Sequence, residues 1–296
     1  MLKQLLAAFL GLGLAAGTQA ADLSGTLLKI KESGAITVGH RESSVPFSYL
    51  DNDQKPVGYM MDLCAAVVDA AKAELKLSKL DVKYQPVTSQ NRIPLMQNGT
   101  IDIECGSTTN SVARQQQVAF SVTPFITSVR MAVRKDSGVK DIADLDGKPL
   151  VTTTGTTSDG LIKKNEKGKS IDVRNLYGKD HADSFLMVAS GRAAAFVMDD
   201  ILLAGLIASS KNPGEFEIVG PSLRDEPYGV MLRKDDPQFK TLVDNTLIAM
   251  MKSGEVAKLY NKWFMSPIPP RDVNLNFPMS PALKAALDAP TDKGVE

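Results

Sequence analysis

The sequence predicts an α/β protein of two lobes. Its 296 residues exceed the usual size of one compact domain. Short β-type runs alternate with amphipathic helical stretches, the βαβ rhythm of open parallel sheets. That rhythm stops near Pro124 and starts again beyond it. A composition of 43% hydrophobic and 23% charged residues is ordinary for a globular chain.

The chain opens with MLKQLLAAFLGLGLAAGTQA. Lys3 supplies a positive start, Leu5 to Ala16 an apolar run, and Thr18 and Ala20 the small residues before a cleavage point, so residues 1–20 read as a signal peptide cut after Ala20. The apolar run is too short to cross a bilayer, and no later stretch approaches about 20 consecutive apolar residues. The mature chain is therefore expected to be exported and soluble. Neither cysteine lies near the cleavage point, so no site for lipid attachment offers itself, and free diffusion follows. Lysines and arginines number 34 and acids 34, and loss of Lys3 leaves the mature chain one unit negative. Nothing in that balance suggests a nucleic acid or a membrane surface as partner.

Export also makes Cys64 and Cys105 candidates for one disulfide, because oxidising compartments preserve such bonds and the count is even. Two buried thiols are the other reading.

In the first unit, Ile36 to Val38, Leu80 to Tyr84 and Ile101 to Cys105 read as strands and Met61 to Leu75 as a helix. Leu63, Val67, Val68 and Ala71 form one apolar stripe on that helix, with Asp62, Asp69 and Lys72 elsewhere, so one face packs on a sheet. Asn98-Gly99-Thr100 matches a glycosylation sequon but reads as a turn before the strand at Ile101. After Pro124 come strands near Arg130 to Arg134 and Leu150 to Thr153, then a helix from Thr157 or Ser158. His181 to Ser190 reads as a helix, Ala194 to Met198 as a strand and Ile201 to Ser209 as a helix. A strand in YGVMLRK from Tyr228 and helices at Phe239 to Met251 and Glu255 to Phe264 could complete the first unit. The last segment, with Pro267, Pro269, Pro270, Pro278 and Pro281, reads as a tail on the surface.

The inventory of reactive groups is thin. His40 and His181 are the only histidines and no G-x-S-x-G elbow is present, so a hydrolase is poorly supported. Gly11, Gly13 and Gly17 have the wrong spacing for a dinucleotide fingerprint and fall inside the signal. Two cysteines and two histidines scattered singly make no zinc site. No cofactor and no metal is expected.

Three arginines stand in unusually polar settings: Arg41 in GHRESSVPFSY, Arg92 in TSQNRIPLMQNG and Arg114 in ECGSTTNSVARQQQ. Any one alone reads as a solvated surface charge. Together with GTTS, KDHADSF, SGRAAAFVMDD and YGVMLRKDDPQF, these segments resemble, in the same order and through the whole mature chain, the periplasmic glutamate/aspartate-binding proteins of ABC transporters. YGVMLRKDDPQF alone marks only the wider family of polar amino-acid-binding proteins.

The resemblance implies a periplasmic binding protein-like fold: two mixed, mostly parallel sheets joined by two crossover strands, near Pro124 to Ser128 and Arg224 to Tyr228. Lobe 1 would hold residues 22–125 and 227–296, lobe 2 residues 126–226, and the ligand would be buried where they close. Burying the two carboxylates and one ammonium of glutamate requires paired groups for each. By resemblance, Arg114 grips the α-carboxylate with Thr109, Thr156 and Thr157, and Asp199 and Ser107 take the ammonium. Arg41, Ser89, Arg92 and His181 would surround the side-chain carboxylate, and neutral amino acids would leave that cluster uncompensated. Simpler readings stay open: Thr156, Thr157 and Ser158 as caps of a helix, Asp199 as the residue preceding one, and His181 as the maker of a structural hydrogen bond. The implied partners are L-glutamate or L-aspartate and a membrane permease, with the chain itself a monomer. A periplasmic enzyme such as a dehydratase, a sensor module, or a binding protein for another acidic ligand are the alternatives.

Overall fold

The computed structural model describes residues 22–169 and 171–296, and the predicted signal peptide lies outside the described residues. Two sheets organise the chain. The first runs Asp81–Pro86, Ala35–His40, Ile103–Glu104, Met231–Arg233, Val118–Phe120 in spatial order. The second runs Arg174–Gly178, Pro149–Thr153, Ala195–Asp199, Phe125–Arg134, Phe216–Val219. Both sheets are mixed. Ala35–His40 pairs parallel with its two neighbours, as does Pro149–Thr153 with its own, because helices connect those strands. The antiparallel pairings come from Met231–Arg233, Phe125–Arg134 and Phe216–Val219.

Phe125–Arg134 carries the chain from the first sheet into the second, and Asp225–Tyr228 brings it back, antiparallel, with Phe125 opposite Tyr228 and Ser128 opposite Asp225. An aromatic cluster anchors this crossing at its first-sheet end. Phe47 lies 4.7 Å from Phe125 and 5.1 Å from Tyr228 by ring centroid, and Phe264 stacks 5.0 Å from Phe125. Such pairs contribute about 0.5–1.5 kcal/mol each beyond area burial. Tyr59 adds a hydrogen bond from its hydroxyl to the Pro124 carbonyl at 3.0 Å.

The predicted helix spans Tyr59–Glu74 and buries Leu63, Val67, Val68 and Ala71 as its stripe requires. It starts two residues early because Gly58, at φ +136°, lets the chain turn hard against Phe47, whose carbonyl oxygen would sit 2.3 Å from any Cβ there. Cys64 on this helix is bonded to Cys105, across a sequence separation of 41. The bond fastens the helix to the end of strand Ile103–Glu104, from which the loop Gly106–Thr109 departs. Asn98-Gly99-Thr100 is the expected turn: Gly99 has φ +77° and the Thr100 N–H donates to Asn98 Oδ1 at 3.0 Å.

The proline-rich end differs from the expectation of a surface tail. Pro281–Asp288 is a helix, with Ser280 accepting from the Leu283 N–H and Pro281 in the first turn, where its missing N–H costs nothing. Leu283 is buried, and beyond the helix a single β-bridge joins Val295 to Ser111: Val112 N–H donates to Val295 O and Val295 N–H to Asn110 O, both at 3.0 Å. Proline spacing signalled a breaker, whereas the Ser-Pro pair starts a helix. Three segments that drew no element assignment are also helical: Gly25–Ser33, Arg92–Gln97 and Val112–Gln115. No helix among the described residues is long and apolar enough to cross a membrane.

Candidate functional site

The predicted polar residues leave the sheets at the carboxyl ends of their parallel strands. Arg41 follows Ala35–His40, Ser89 and Arg92 follow Asp81–Pro86, and Ser107 and Thr109 follow Ile103–Glu104. From the second sheet, Thr156 and Thr157 follow Pro149–Thr153, His181 follows Arg174–Gly178, and Asp199 ends Ala195–Asp199. Open α/β sheets bind ligands at this edge. The two edges face each other across a narrow cavity of about 10 Å³ lined by Ser89, Arg92, Ser107, Thr109, Arg114, Thr156, Thr157, His181 and Asp199, with Ser158 and Met198 in addition.

The edges are in contact. Gly155, at φ +82°, lies so near Ser89 and Gln90 that a Cβ would come within 2.7 Å of the Gln90 Cα. Arg114 reaches across: Nη1 donates to Thr109 O at 2.9 Å and Nη2 to Gly155 O at 3.1 Å. Ser43 donates across the same gap to Asp180, which caps the helix His181–Ala189.

Three arginines are buried together here. Arg41 is fully buried and Arg92 and Arg114 nearly so. Burial pushes Arg41 down to about 10 and Arg114 down to about 9, with Arg92 adding repulsion to both, and burial lowers Arg92 likewise. All three stay cationic at neutral pH. Arg92 Nη1 donates to Ser107 O at 3.2 Å and to Thr108 Oγ1, and lies 3.8 Å from Glu104 Oε1. Arg41 stands behind the cavity wall rather than on it, 3.8 Å from Asp180, with its Nε and both Nη atoms lacking hydrogen-bond partners.

His181 is buried, and burial first, then Arg41 and Arg92, hold its imidazole well below the usual range, so it is neutral. Its Nδ1 meets Thr153 Oγ1 at 3.0 Å. Ser184 Oγ donates to Asp180 O and so accepts from the Thr153 hydroxyl, which leaves the His181 Nδ1–H to donate to Thr153 Oγ1. Asp199 accepts from the Tyr228 hydroxyl on Oδ2, while its buried Oδ1 has no partner. Burial and then Glu226 push its carboxyl up to about 7, against the lowering pull of Tyr228 and Arg114. Asp200 is occupied elsewhere, accepting from Thr127 Oγ1 at 2.6 Å and from the Ile201 N–H at 2.7 Å.

Thr156 Oγ1 donates to Thr153 O at 2.7 Å and Thr157 Oγ1 to Glu226 Oε2 at 3.1 Å. Both precede the helix Ser158–Lys169, whose first-turn N–H groups have no intrahelical acceptors. Ser107 Oγ donates to Ser44 Oγ at 3.1 Å, which leaves its lone pairs open as acceptors.

Sequence reasoning missed the buried acids. Glu104 and Glu226 are fully buried beside the arginines, so the excess of positive charge is smaller than three arginines imply. Glu226 is also held by Arg224, at 2.6 Å. The signal was present in IDIEC, where Asp102 and Glu104 put two acids into an interior strand and each has to be paired.

The profile of the bacterial extracellular solute-binding proteins, family 3, matches residues 36–266. The chain is 52% identical over 292 residues to the "Glutamate/aspartate import solute-binding protein" of Escherichia coli strain K12, covering 98% of this chain and 97% of that one. It is 51% identical over 284 residues to the "L-glutamate/L-aspartate-binding protein" of Pseudomonas aeruginosa, covering 96% and 94%. Among solved structures, a mutant of ArgBP from T. maritima superposes with a TM-score of 0.72 at 28% identity, covering 81% of this chain and 99% of that one. With two sheets meeting at the carboxyl ends of their strands and a profile match over most of its length, the chain belongs to the bacterial extracellular solute-binding proteins, family 3.

Proposed function

We propose that this protein captures L-glutamate and L-aspartate in the periplasm by closing two lobes on the ligand, and delivers it to the permease of an ABC transporter. The lobes are residues 22–125 with 227–296, and residues 126–226, hinged where Phe125–Arg134 runs beside Asp225–Tyr228. The observation that carries the reading is the polarity of the cavity: buried Arg114 and Arg92 line it together with one buried acid, Asp199, whose Oδ1 is unpartnered. An α-amino acid with a second carboxylate complements that pattern. Arg114, Thr109 and the residues Thr156 and Thr157 take the α-carboxylate. Asp199 and Ser107 take the ammonium. Arg92, Ser89 and His181 take the side-chain carboxylate, with Arg41 contributing field from behind. Contacts from both lobes favour the closed state. The names of the relatives from E. coli and P. aeruginosa support the same ligands.

A calorimetric screen of the standard amino acids tests the proposal. Glutamate and aspartate are expected to bind at about micromolar strength or tighter, about −8 kcal/mol, and to be recovered unchanged. Tight binding of lysine or leucine, or conversion of the bound ligand, would sink it.

The position of Asp199 adds a pH dependence. Its folded pKa is raised, so the ligand-free protein loses stability as pH climbs from the ordinary carboxylate range towards about 7, and holds no further penalty above that. The ligand ammonium needs the ionised form. Binding below neutrality must therefore release a proton, and affinity should fall about tenfold between about pH 8 and about pH 6. Titrations in two buffers of different ionisation enthalpy measure that proton, and a flat affinity with no proton released would remove Asp199 from the ammonium site.

A further inference from the structure

Glu104 is a full charge in the middle of the first sheet, on the strand Ile103–Glu104 between Ala35–His40 and Met231–Arg233. Its side chain is 0% exposed, which for a carboxylate requires compensation. That compensation is shared. Oε2 accepts from the Thr108 hydroxyl at 2.6 Å, and the same hydroxyl oxygen accepts from Arg92 Nη1, so a relay runs from Arg92 through Thr108 to Glu104. Oε1 has no hydrogen-bond partner and lies 3.8 Å from Arg92 Nη1. Gly106 makes room for it: a Cβ there would be 2.2 Å from Glu104 Oε1 and 2.9 Å from the Arg41 Cγ. The carboxylate thus sits against the back of the cavity wall, between Arg92 and Arg41.

We infer that Glu104 is a specificity-setting residue, the resident counter-ion of the arginine cluster, which compensates Arg92 when no ligand is bound and opposes the ligand's side-chain carboxylate when one is. The inference rests on the assignment of Arg92 to that carboxylate. An internal acid trades affinity for a stable free site. Arg92 and Arg41 need a negative charge in the ligand-free protein, and Glu104 supplies it. Once the ligand brings a carboxylate to Arg92, Glu104 becomes a like charge nearby in a poorly screened interior. Glutamine lacks that charge and is isosteric with glutamate, so the change in the ratio of the two affinities on neutralising Glu104 reads the repulsion.

Glu104→Gln keeps the shape and an oxygen to accept from Thr108 while removing the charge. The ligand-free melting temperature should fall, and the ratio of glutamate to glutamine affinity should rise, on the order of tenfold for charges this close. A merely structural role would weaken both ligands alike, and a role in holding Arg92 in place would lower the ratio; either result overturns the inference. Thr108→Val provides a second reading should Glu104→Gln fail to fold. With the hydroxyl gone, Arg92 and Glu104 pair directly, the ligand must compete with Glu104, and the ratio should fall; an unchanged ratio in that variant contradicts the inference. Parent protein that binds no glutamate would overturn the functional reading and this inference together, whereas parent binding with an unmoved ratio in the variants overturns the inference alone.

Discussion

Arg114→Met is expected to abolish useful binding of glutamate, aspartate and glutamine alike. Every α-amino acid presents the same α-carboxylate, and Arg114 is the arginine that touches both sides of the cleft, through Thr109 O and Gly155 O. Methionine preserves much of the buried stem but removes the charge and both hydrogen bonds. The ligand carboxylate would then be desolvated without a partner, at a cost of about 2–5 kcal/mol. That corresponds to roughly thirtyfold to several-thousandfold in affinity. Loss of the bond to Gly155 O also weakens the closed form itself, so the effect should lie towards the upper end. Calorimetry on a variant shown to be folded by circular dichroism checks it. Near-parent affinity would move the α-carboxylate elsewhere.

Arg92→Met should act differently, with a large loss for glutamate and a smaller one for glutamine. The side-chain amide of glutamine never needed the charge, whereas the carboxylate of glutamate loses a buried counter-ion, again worth about 2–5 kcal/mol. The structure adds a complication that the sequence did not reveal. Arg92 also compensates Glu104, and removing one member of a buried pair costs about 3–5 kcal/mol of stability because the other stays charged in a dry interior. The single variant will be less stable for that reason alone. Arg92→Met combined with Glu104→Gln removes both charges and should recover much of the stability without recovering preference for glutamate over glutamine. The quantity to measure is the ratio of the two affinities. A folded Arg92→Met protein with the parent ratio would leave acidic specificity to Arg41, which stands behind the cavity wall.

The fold was legible wherever one periodicity dominated. The stripe Leu63, Val67, Val68, Ala71 could only belong to a helix packed on a sheet, and AAAFVMD, buried on every residue from Ala195 to Asp199, could only be an interior strand. The shortest helices were not legible. Arg92–Gln97, 6 residues, and Val112–Gln115, 4 residues, are too short to show a period, and tertiary contacts hold them instead. The helix at Pro281–Asp288 was obscured because prolines around it read as breakers until Ser280 is recognised as a cap.

For the site, the residues proposed to line the cavity were legible through the resemblance to the glutamate/aspartate-binding proteins, because any one of the arginines alone reads as a solvated surface charge. Position along the chain says little about depth. Nothing in GHRESS distinguishes a guanidinium on the wall from one behind it, and Arg41 lies behind. The pairing acids were missed for a related reason. Glu226 sits in DEPY, inside the expected crossover at Arg224 to Tyr228, and nothing in that run marks it as fully buried between Arg224 and Thr157. Charge complementarity is a property of the assembled edge, where two sheets and both crossing strands contribute side chains from distant sequence.

A crystal structure of the protein with L-glutamate tests the central claim most directly, since the account assigns each charged group of the ligand to named atoms. The α-carboxylate is expected on the Arg114 guanidinium and the first N–H groups of the helix Ser158–Lys169, the ammonium on Asp199 Oδ1, and the side-chain carboxylate beside Arg92 and His181. A glutamate bound in the reverse sense, with its side-chain carboxylate on Arg114, or one seated outside the cavity between the two sheets, would contradict it.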